Sequence, residues 1–513
     1  MAPTPHIGII GAGISGLRCA DILIQNGARV TILEARDRIG GRVHQSTVGS
    51  HVVDLGPNWI HGAGENPIMT IAEATGAALY DPENGGHIAF SPEGHPINND
   101  VSAKVQDFVW NTIAEAFEYS NRHGDSIPVE RSLFDFFQER VQQTNLTDEE
   151  KQLCLDTCKL WGAYVGDQVD KQSLRFFRLE ECVDGSNFVV ASTYKRILEH
   201  VAKTATAHAD IRLNEPVTSI NAPFRKDQSS TPQQVTVTTA TGTTYDFDEV
   251  VVTCPLGWLK QNLSAFTPAL PPRLLQAINN ISYGRLEKVY VTFPRAFWHT
   301  NQTETSNTNT PKTPTTPDPV FAQFLEPSYT SHPQHIEWNQ ECLSLASLPA
   351  PHAHPTLLFY TYGESGAEII NTISHLSPSS PEYKEALIKF VEPFYSRLPG
   401  YAPGHLDCVP TALLATQWQK DVYAGNGSYC NFQVGLTEAD RDIEVMRSGD
   451  GIGPRRGLWF AGEHTAPFVA LGTTTGAFWS GERIANFVCE GLGLGSVGGM
   501  GVKDDSLPSA EAL

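Results

Sequence analysis

The sequence predicts an α/β (α+β) chain of two domains, one of them built on a parallel sheet. Three observations carry this. First, an apolar run at residues 7–10 meets Gly11-Ala-Gly13-Ile-Ser-Gly16, an amphipathic stretch follows, and Arg29-Val-Thr-Ile-Leu-Glu34 closes a strand–helix–strand unit of about 30 residues. Second, a strand pattern at 457–460 leads toward a helical pattern at 476–488 near the other end of the chain. Third, the 513 residues between and around them are enough for about three average domains, and their 40 % hydrophobic and 18 % charged residues are an ordinary globular composition.

Along the chain, residues 67–194 read as mainly helical, most clearly at 101–117 and 133–141. Residues 211–253 read as strands, with alternation at Val235-Thr-Val-Thr-Thr and an apolar run at Val250-Val-Val. Residues 300–319 are rich in Thr, Asn and Pro without apolar periodicity, which predicts a flexible insertion. Strand signals return at 357–362, and 381–398 reads as a helix. Residues 491–513 read as a disordered tail. The expected division is 1–85, 195–270 and 455–490 for a discontinuous nucleotide-binding domain. A substrate domain of mixed sheet and helices takes 86–194 and 271–454.

Charge and cysteine usage narrow the function. Thirty-six Lys and Arg against 57 Asp and Glu give a formal charge of −21, which argues against a nucleic-acid binder. Nine scattered cysteines without CxxC fit a reducing compartment, not a disulfide framework. With no signal peptide, no membrane-length apolar run and no peroxisomal C-terminus, the expectation is a cytoplasmic protein that does not enter a membrane. No HExxH, Cys/His zinc spacing, GxSxG or P-loop occurs, so no metal is expected.

The glycine motif carries the first chemistry. Gly11 allows a tight turn, Gly13 lets the backbone approach a pyrophosphate, and Gly16 lets helix and strand pack closely. Ser15 lies in the helix's first turn. Glu34 follows 18 residues past Gly16, where a carboxylate accepts ribose hydroxyls and repels a 2′-phosphate. NAD and FAD both remain. Then Arg36-Asp-Arg-Ile-Gly40-Gly41-Arg42 adds a second close backbone approach and a phosphate-pairing arginine, which an ordinary NAD fold lacks. Near the end, Phe460-Ala-Gly-Glu463-His-Thr precedes Thr473-Thr474-Thr475-Gly476, whose helix N-terminus can stabilise a negative charge.

These motifs, with Gly56-Pro-Asn-Trp59-Ile-His61-Gly62, Val250-Val-Val-Thr-Cys-Pro-Leu-Gly257 and Gly427-Ser-Tyr429, resemble the flavin-containing amine oxidases in order over residues 5–488. That family includes monoamine oxidases, polyamine oxidases and flavin histone demethylases, and the Trp59–Gly62 stretch looks most like the polyamine oxidases of acetylpolyamine and spermine type. The resemblance implies an FAD-binding Rossmann-like domain. It implies FAD contacts from Glu34, Arg36, Gly41, Arg42, Val217, Glu463, Thr474 and the glycine turn. It implies a tunnel histidine at His61 and a water-holding lysine at Lys288. Strand alternation puts Lys288, Tyr290 and Thr292 on one face, opposite Val289, Val291 and Phe293.

By the same resemblance, Trp59, Trp418 and Thr473 line both flavin and substrate, and Tyr429 forms one wall of the amine site. Thr473 stands where monoamine oxidases carry a second tyrosine. The covalent-flavin cysteine position falls on Gly427 or Ser428, so FAD is expected to bind non-covalently, with Cys430 close by. Ser192-Thr193-Tyr194 departs from the family's Gly-Gly-Tyr. Glu180-Glu181 reads as a solvated turn rather than an ammonium-binding patch. The implied reaction is hydride transfer from a small-molecule amine to flavin, reduction of O2 to peroxide, and hydrolysis of the imine. The alternatives are a monoamine, amino-acid or secondary-metabolite amine as substrate, or a flavoprotein scaffold of little activity.

Overall fold

The computed structural model describes residues 4–83, 85–225, 233–299, 318–449 and 451–495. Its first sheet is wholly parallel, in the order Leu458–Phe460, Glu249–Val252, His6–Ile10, Arg29–Leu33 and Asp210–Arg212. The central strands are apolar along their length because both faces are covered. One face takes the helices Ile14–Gln25, Lys195–His208 and Thr474–Gly491. The other joins Val217, Ile220, Val235, Val237 and Phe247, from a small sheet formed by Thr244–Phe247, Val235–Thr239, Val217–Asn221 and Phe266–Thr267.

A second large sheet has six strands, in the order Ala412–Ala415, Glu287–Thr292, Thr356–Thr361, Gln340–Ser344, Pro319–Phe324 and Gly86–Phe90. All neighbours are antiparallel except the last pair. Its Val289, Val291, Phe359 and Phe324 face packs on the helices Gly363–Ile373 and Pro381–Tyr395. Its other face carries Tyr290, Leu358, Leu343 and Phe321, which meet Val48, Val53 and Val189 from the first half of the chain. The alternation expected around Lys288 is therefore present, both faces are covered, and Lys288 is buried.

Helices start where side chains satisfy the free amides of the first turn. Asn98 caps Asn99–His123, and Ser132 with Asp135 forms a capping box on Leu133–Gln142. Both run past the ends expected from apolar periodicity alone. Residues 300–317 of the expected insertion lie outside the described residues, and Pro319 already opens a strand. In the expected tail, the last helix continues through Gly491, while residues 496–513 lie outside the described ones.

Candidate active site

The glycine turn separates three physical roles. Gly11 has φ +107°, a backbone region that only glycine enters freely. A Cβ on Gly16 would lie 2.1 Å from the Gly11 carbonyl oxygen, so this glycine sets the helix–strand contact. A Cβ on Gly13 would meet nothing within 4 Å. The open space is at Gly13, beside the start of a helix with no side-chain cap. Free amides at a helix N-terminus are an anion site.

Around that space the expected residues converge. Glu34 is buried, and its carboxylate accepts from the Ala12 N–H (2.7 Å) and the Arg36 N–H (2.9 Å). Gly41 approaches Gly13, its added Cβ falling 3.3 Å from the Gly13 Cα. The Asn214 N–H donates to the Arg36 carbonyl and the Glu215 N–H to that of Glu34, which brings the Val217 strand to the same edge. The Ser15 hydroxyl lies 3.1 Å from Ser480 Oγ, on the last helix.

The arginines are more engaged than the sequence suggests. Arg42 Nη1 donates to Glu463 Oε1 (3.0 Å), the Ser428 carbonyl (2.6 Å) and Tyr283 Oη (3.2 Å). Burial acts against both charges of this pair, but each holds its partner ionised: Arg42 is raised and Glu463 lowered. Arg36 is paired with Asp421 at 2.9 Å. Arg36, Trp418, Leu55, Asp421 and Tyr423 line an open cleft of about 640 Å³. Trp418 Nε1 donates to the Leu55 carbonyl (3.1 Å).

Lys288 sits in a cage of oxygens. Its Nζ donates to the Gly56 carbonyl and Asn58 Oδ1, with the Asp54 carbonyl 3.4 Å away. Asn58 Oδ1 also accepts from Tyr360 Oη (3.4 Å), which accepts from Trp59 Nε1 (3.0 Å). Burial lowers the lysine to about 7, against the attraction of Asp54. Asp54 is raised by burial toward neutrality, opposed by its hydrogen bonds.

Of the expected substrate residues, Trp59 touches this cage through Tyr360. The His61 ring is near-parallel to Trp59, with centroids 6.4 Å apart, and its Nδ1 lies 3.3 Å from Asn187 Oδ1. Burial lowers its pKa, so the ring is neutral at neutral pH. Tyr429 Oη donates to the Tyr164 carbonyl (2.6 Å). Thr473 hydroxyl caps the last helix, accepting from the Gly476 N–H (2.9 Å) and donating to the Ala470 carbonyl (2.7 Å). That hydroxyl has no proton left for a ligand. Thr474 Oγ1 is 3.3 Å from Tyr194 Oη, which in turn donates to the Trp59 carbonyl.

One expectation is corrected outright: Glu180 is not in a solvated turn. It ends a 3-10 turn, accepts from the Phe432 N–H (3.3 Å), and burial pushes it up to about 8 beside Glu463. Consecutive acids look solvated in sequence, but turn direction sends this one inward. Glu181 bonds Asn121 at 3.2 Å.

The family model for flavin-containing amine oxidoreductases matches residues 14–489. The chain belongs to that family. Among curated relatives, polyamine oxidase 4 of Oryza sativa subsp. japonica is 29 % identical over 310 residues, 58 % of this chain and 61 % of that protein. Probable polyamine oxidase 4 of Arabidopsis thaliana is 31 % identical over 313 residues, 57 % and 59 % of the two chains. The matched stretch thus spans about three fifths of these relatives. A solved double mutant of putrescine oxidase, redesigned in cofactor binding, has the same fold: TM-score 0.65 at 17 % identity, covering 95 % of this chain and 100 % of that one.

FAD is the cofactor of this flavin-containing chain, and the residues present fit it. The gap at Gly13, the uncapped helix start, Glu34 at the second strand's end, and the Arg42–Glu463 pair are the parts a dinucleotide needs. Sequence reasoning missed Asp54, Asn58, Tyr164 and Tyr360. Asp54 and Asn58 flank the Gly56 that was read as motif. Tyr360 is distant in sequence and reaches Lys288 only through strand pairing.

Proposed function

We propose that the chain is an FAD-dependent amine oxidase that cleaves a C–N bond of polyamines, holding FAD non-covalently. The amine is oxidised at its α-carbon, the imine adds water, and an aldehyde and a shorter amine leave. FAD, when bound, accepts the hydride and passes both electrons to O2, which leaves as hydrogen peroxide. The domain division drawn from sequence would place this chemistry between the two large sheets.

The chain's own residues do the rest. His61, neutral through burial, can bond an uncharged substrate nitrogen. Tyr429 and Trp59 present aromatic surfaces that orient it. Lys288 carries an amine near neutrality, so it can exchange a proton with the water that hydrolyses the imine. Asn58 and Gly56 hold that amine in place. The Ser428 carbonyl accepts from Arg42, and Cys430 is buried behind it with its N–H donating to Glu463 (3.4 Å). Neither suits a covalent flavin link.

The observation that carries the substrate reading is Thr473. It is tied into the helix cap, and a Cβ on Gly472 would lie 3.4 Å from the Tyr429 ring, an ordinary van der Waals contact. The amine site then has one aromatic wall, not two, which suits a long slender chain. Oxygen uptake with mass analysis of aldehyde and amine products tests this. Turnover of spermine or spermidine with peroxide formed mole for mole is expected. Turnover confined to benzylamine or an amino acid would replace the substrate.

A further inference from the structure

The strand Glu287–Thr292 sends consecutive side chains to opposite faces, so Glu287 and Lys288 act on different segments. Glu287 is fully buried, at 0 % exposure. Its Oε1 accepts from the Gln419 N–H (2.8 Å), and the Trp418 N–H also donates to the carboxylate. Its Oε2 accepts from the Thr416 hydroxyl (2.5 Å). That hydroxyl accepts in turn from the Lys288 N–H (2.8 Å), and the Thr416 N–H donates to the Lys288 carbonyl (2.9 Å). The 3-10 turn Trp418–Lys420 has no side-chain cap of its own. Glu287, from a different strand, supplies one by taking the free amides at its start.

The capped turn carries Trp418, whose Nε1 donates to the Leu55 carbonyl (3.1 Å). The carbonyls on either side of Leu55, those of Asp54 and Gly56, accept from Lys288 Nζ instead, and Asn58 Oδ1 joins them. One short segment is thus held by two side chains, Lys288 and Trp418. Both holds trace back to adjacent residues of one strand, Lys288 itself and the Glu287 that caps the Trp418 turn. The donors to Glu287 are two amides and a hydroxyl, and burial, with Asp421 nearby, pushes its pKa up to about 7. Burying a carboxylate is costly unless hydrogen bonds satisfy it. Here three bonds to a single loop offset that cost, and they fix the loop.

We propose that Glu287 is a positioning residue for Lys288: by capping the 416–420 turn it fixes Trp418, and through the Trp418 indole it fixes the Leu55 segment whose oxygens close around the lysine. Glu287 has no part in the bond-breaking step. What it sets is how well water is kept from Lys288, and so where that amine titrates. That Lys288 serves the imine-hydrolysing water rests on the amine-oxidase reading; the link from Glu287 to Lys288 rests on the hydrogen bonds alone.

The test follows Lys288 with no amine substrate present. Melting temperatures of the purified holoprotein are measured from about pH 6 to 10.5 for the wild type, Glu287→Leu, Glu287→Gln and Trp418→Phe, each with and without Lys288→Met. The difference within each pair reports Lys288, because the other titrations are common to both members. In the wild-type pair the protein with Lys288 should gain on its Met counterpart as pH rises. In Glu287→Leu, which strips the cap, and in Trp418→Phe, which removes the indole N–H, that gain should fall to about half or less as water reaches the amine. Combining the two should lower it no further than either alone, since both act through one bond. Glu287→Gln still offers an oxygen to the amides and should keep most of the gain. An undiminished gain in Trp418→Phe, or in Glu287→Leu at any melting temperature, overturns the proposal. The Trp418→Phe comparison decides by itself if Glu287→Leu does not fold. Since no amine enters the measurement, its failure and that of the amine-oxidase reading are separate results.

Discussion

At the scale of single residues, burial decides what each polar group can do. Lys288 has an ordinary value of 10.5 and is lowered by desolvation to about 7, so folding disfavours its ammonium form. That penalty is complete below about pH 7 and fades as pH rises toward 10.5. Wild-type protein should therefore gain melting temperature relative to Lys288→Met across this window; a constant difference would place the amine in water. Thr193 shows a different strain: it holds φ +66°, a left-handed backbone that a β-branched residue adopts at a cost. Relief of roughly 1–2 kcal/mol of steric cost, less about 0.5–1 kcal/mol of chain entropy, predicts that Thr193→Gly stabilises by up to about 1 kcal/mol. A lower melting temperature would show that the threonine earns its place through packing.

At the scale of elements, the strand–turn–helix at residues 6–33 was legible in full, because each glycine there answers a local demand. Gly13 and Gly16 make the distinction measurable. Gly13→Ala meets nothing in the protein, so the apoprotein should melt as before while FAD affinity drops at least about tenfold. Gly16→Ala drives a methyl into the Gly11 carbonyl, so stability and FAD affinity should fall together. Equal FAD affinity in Gly13→Ala and wild type, measured by flavin titration, would remove the cofactor from this turn. The six-stranded sheet was less legible. Its strand at Lys288 is buried on both faces, so the alternation was visible but what covers each face was not. Pairing partners such as Tyr360 and Glu341 are separated from Lys288 by intervening helices and loops, and sequence periodicity carries no information on register between distant strands.

At the scale of the whole molecule, the parallel sheet gathers segments from residues 6 to 460, and the six-stranded sheet brings Lys288 against the loop at Asp54–Asn58. The motif residues were legible because each lies beside a glycine or an aromatic with a recognisable local task. What they bond to was not: Ser15 to Ser480 and Glu180 to Phe432 are decided by which distant segments meet. The central claim is that a polyamine is oxidised by FAD bound at this junction, with the buried Lys288 handling the water that hydrolyses the imine. The direct measurement is anaerobic mixing of the purified holoprotein with spermine, spermidine, acetylspermine and benzylamine while flavin absorbance is followed. Rapid bleaching by a polyamine, then recovery with peroxide on admitting air, is the predicted result. Flavin that stays oxidised with every amine would contradict the account.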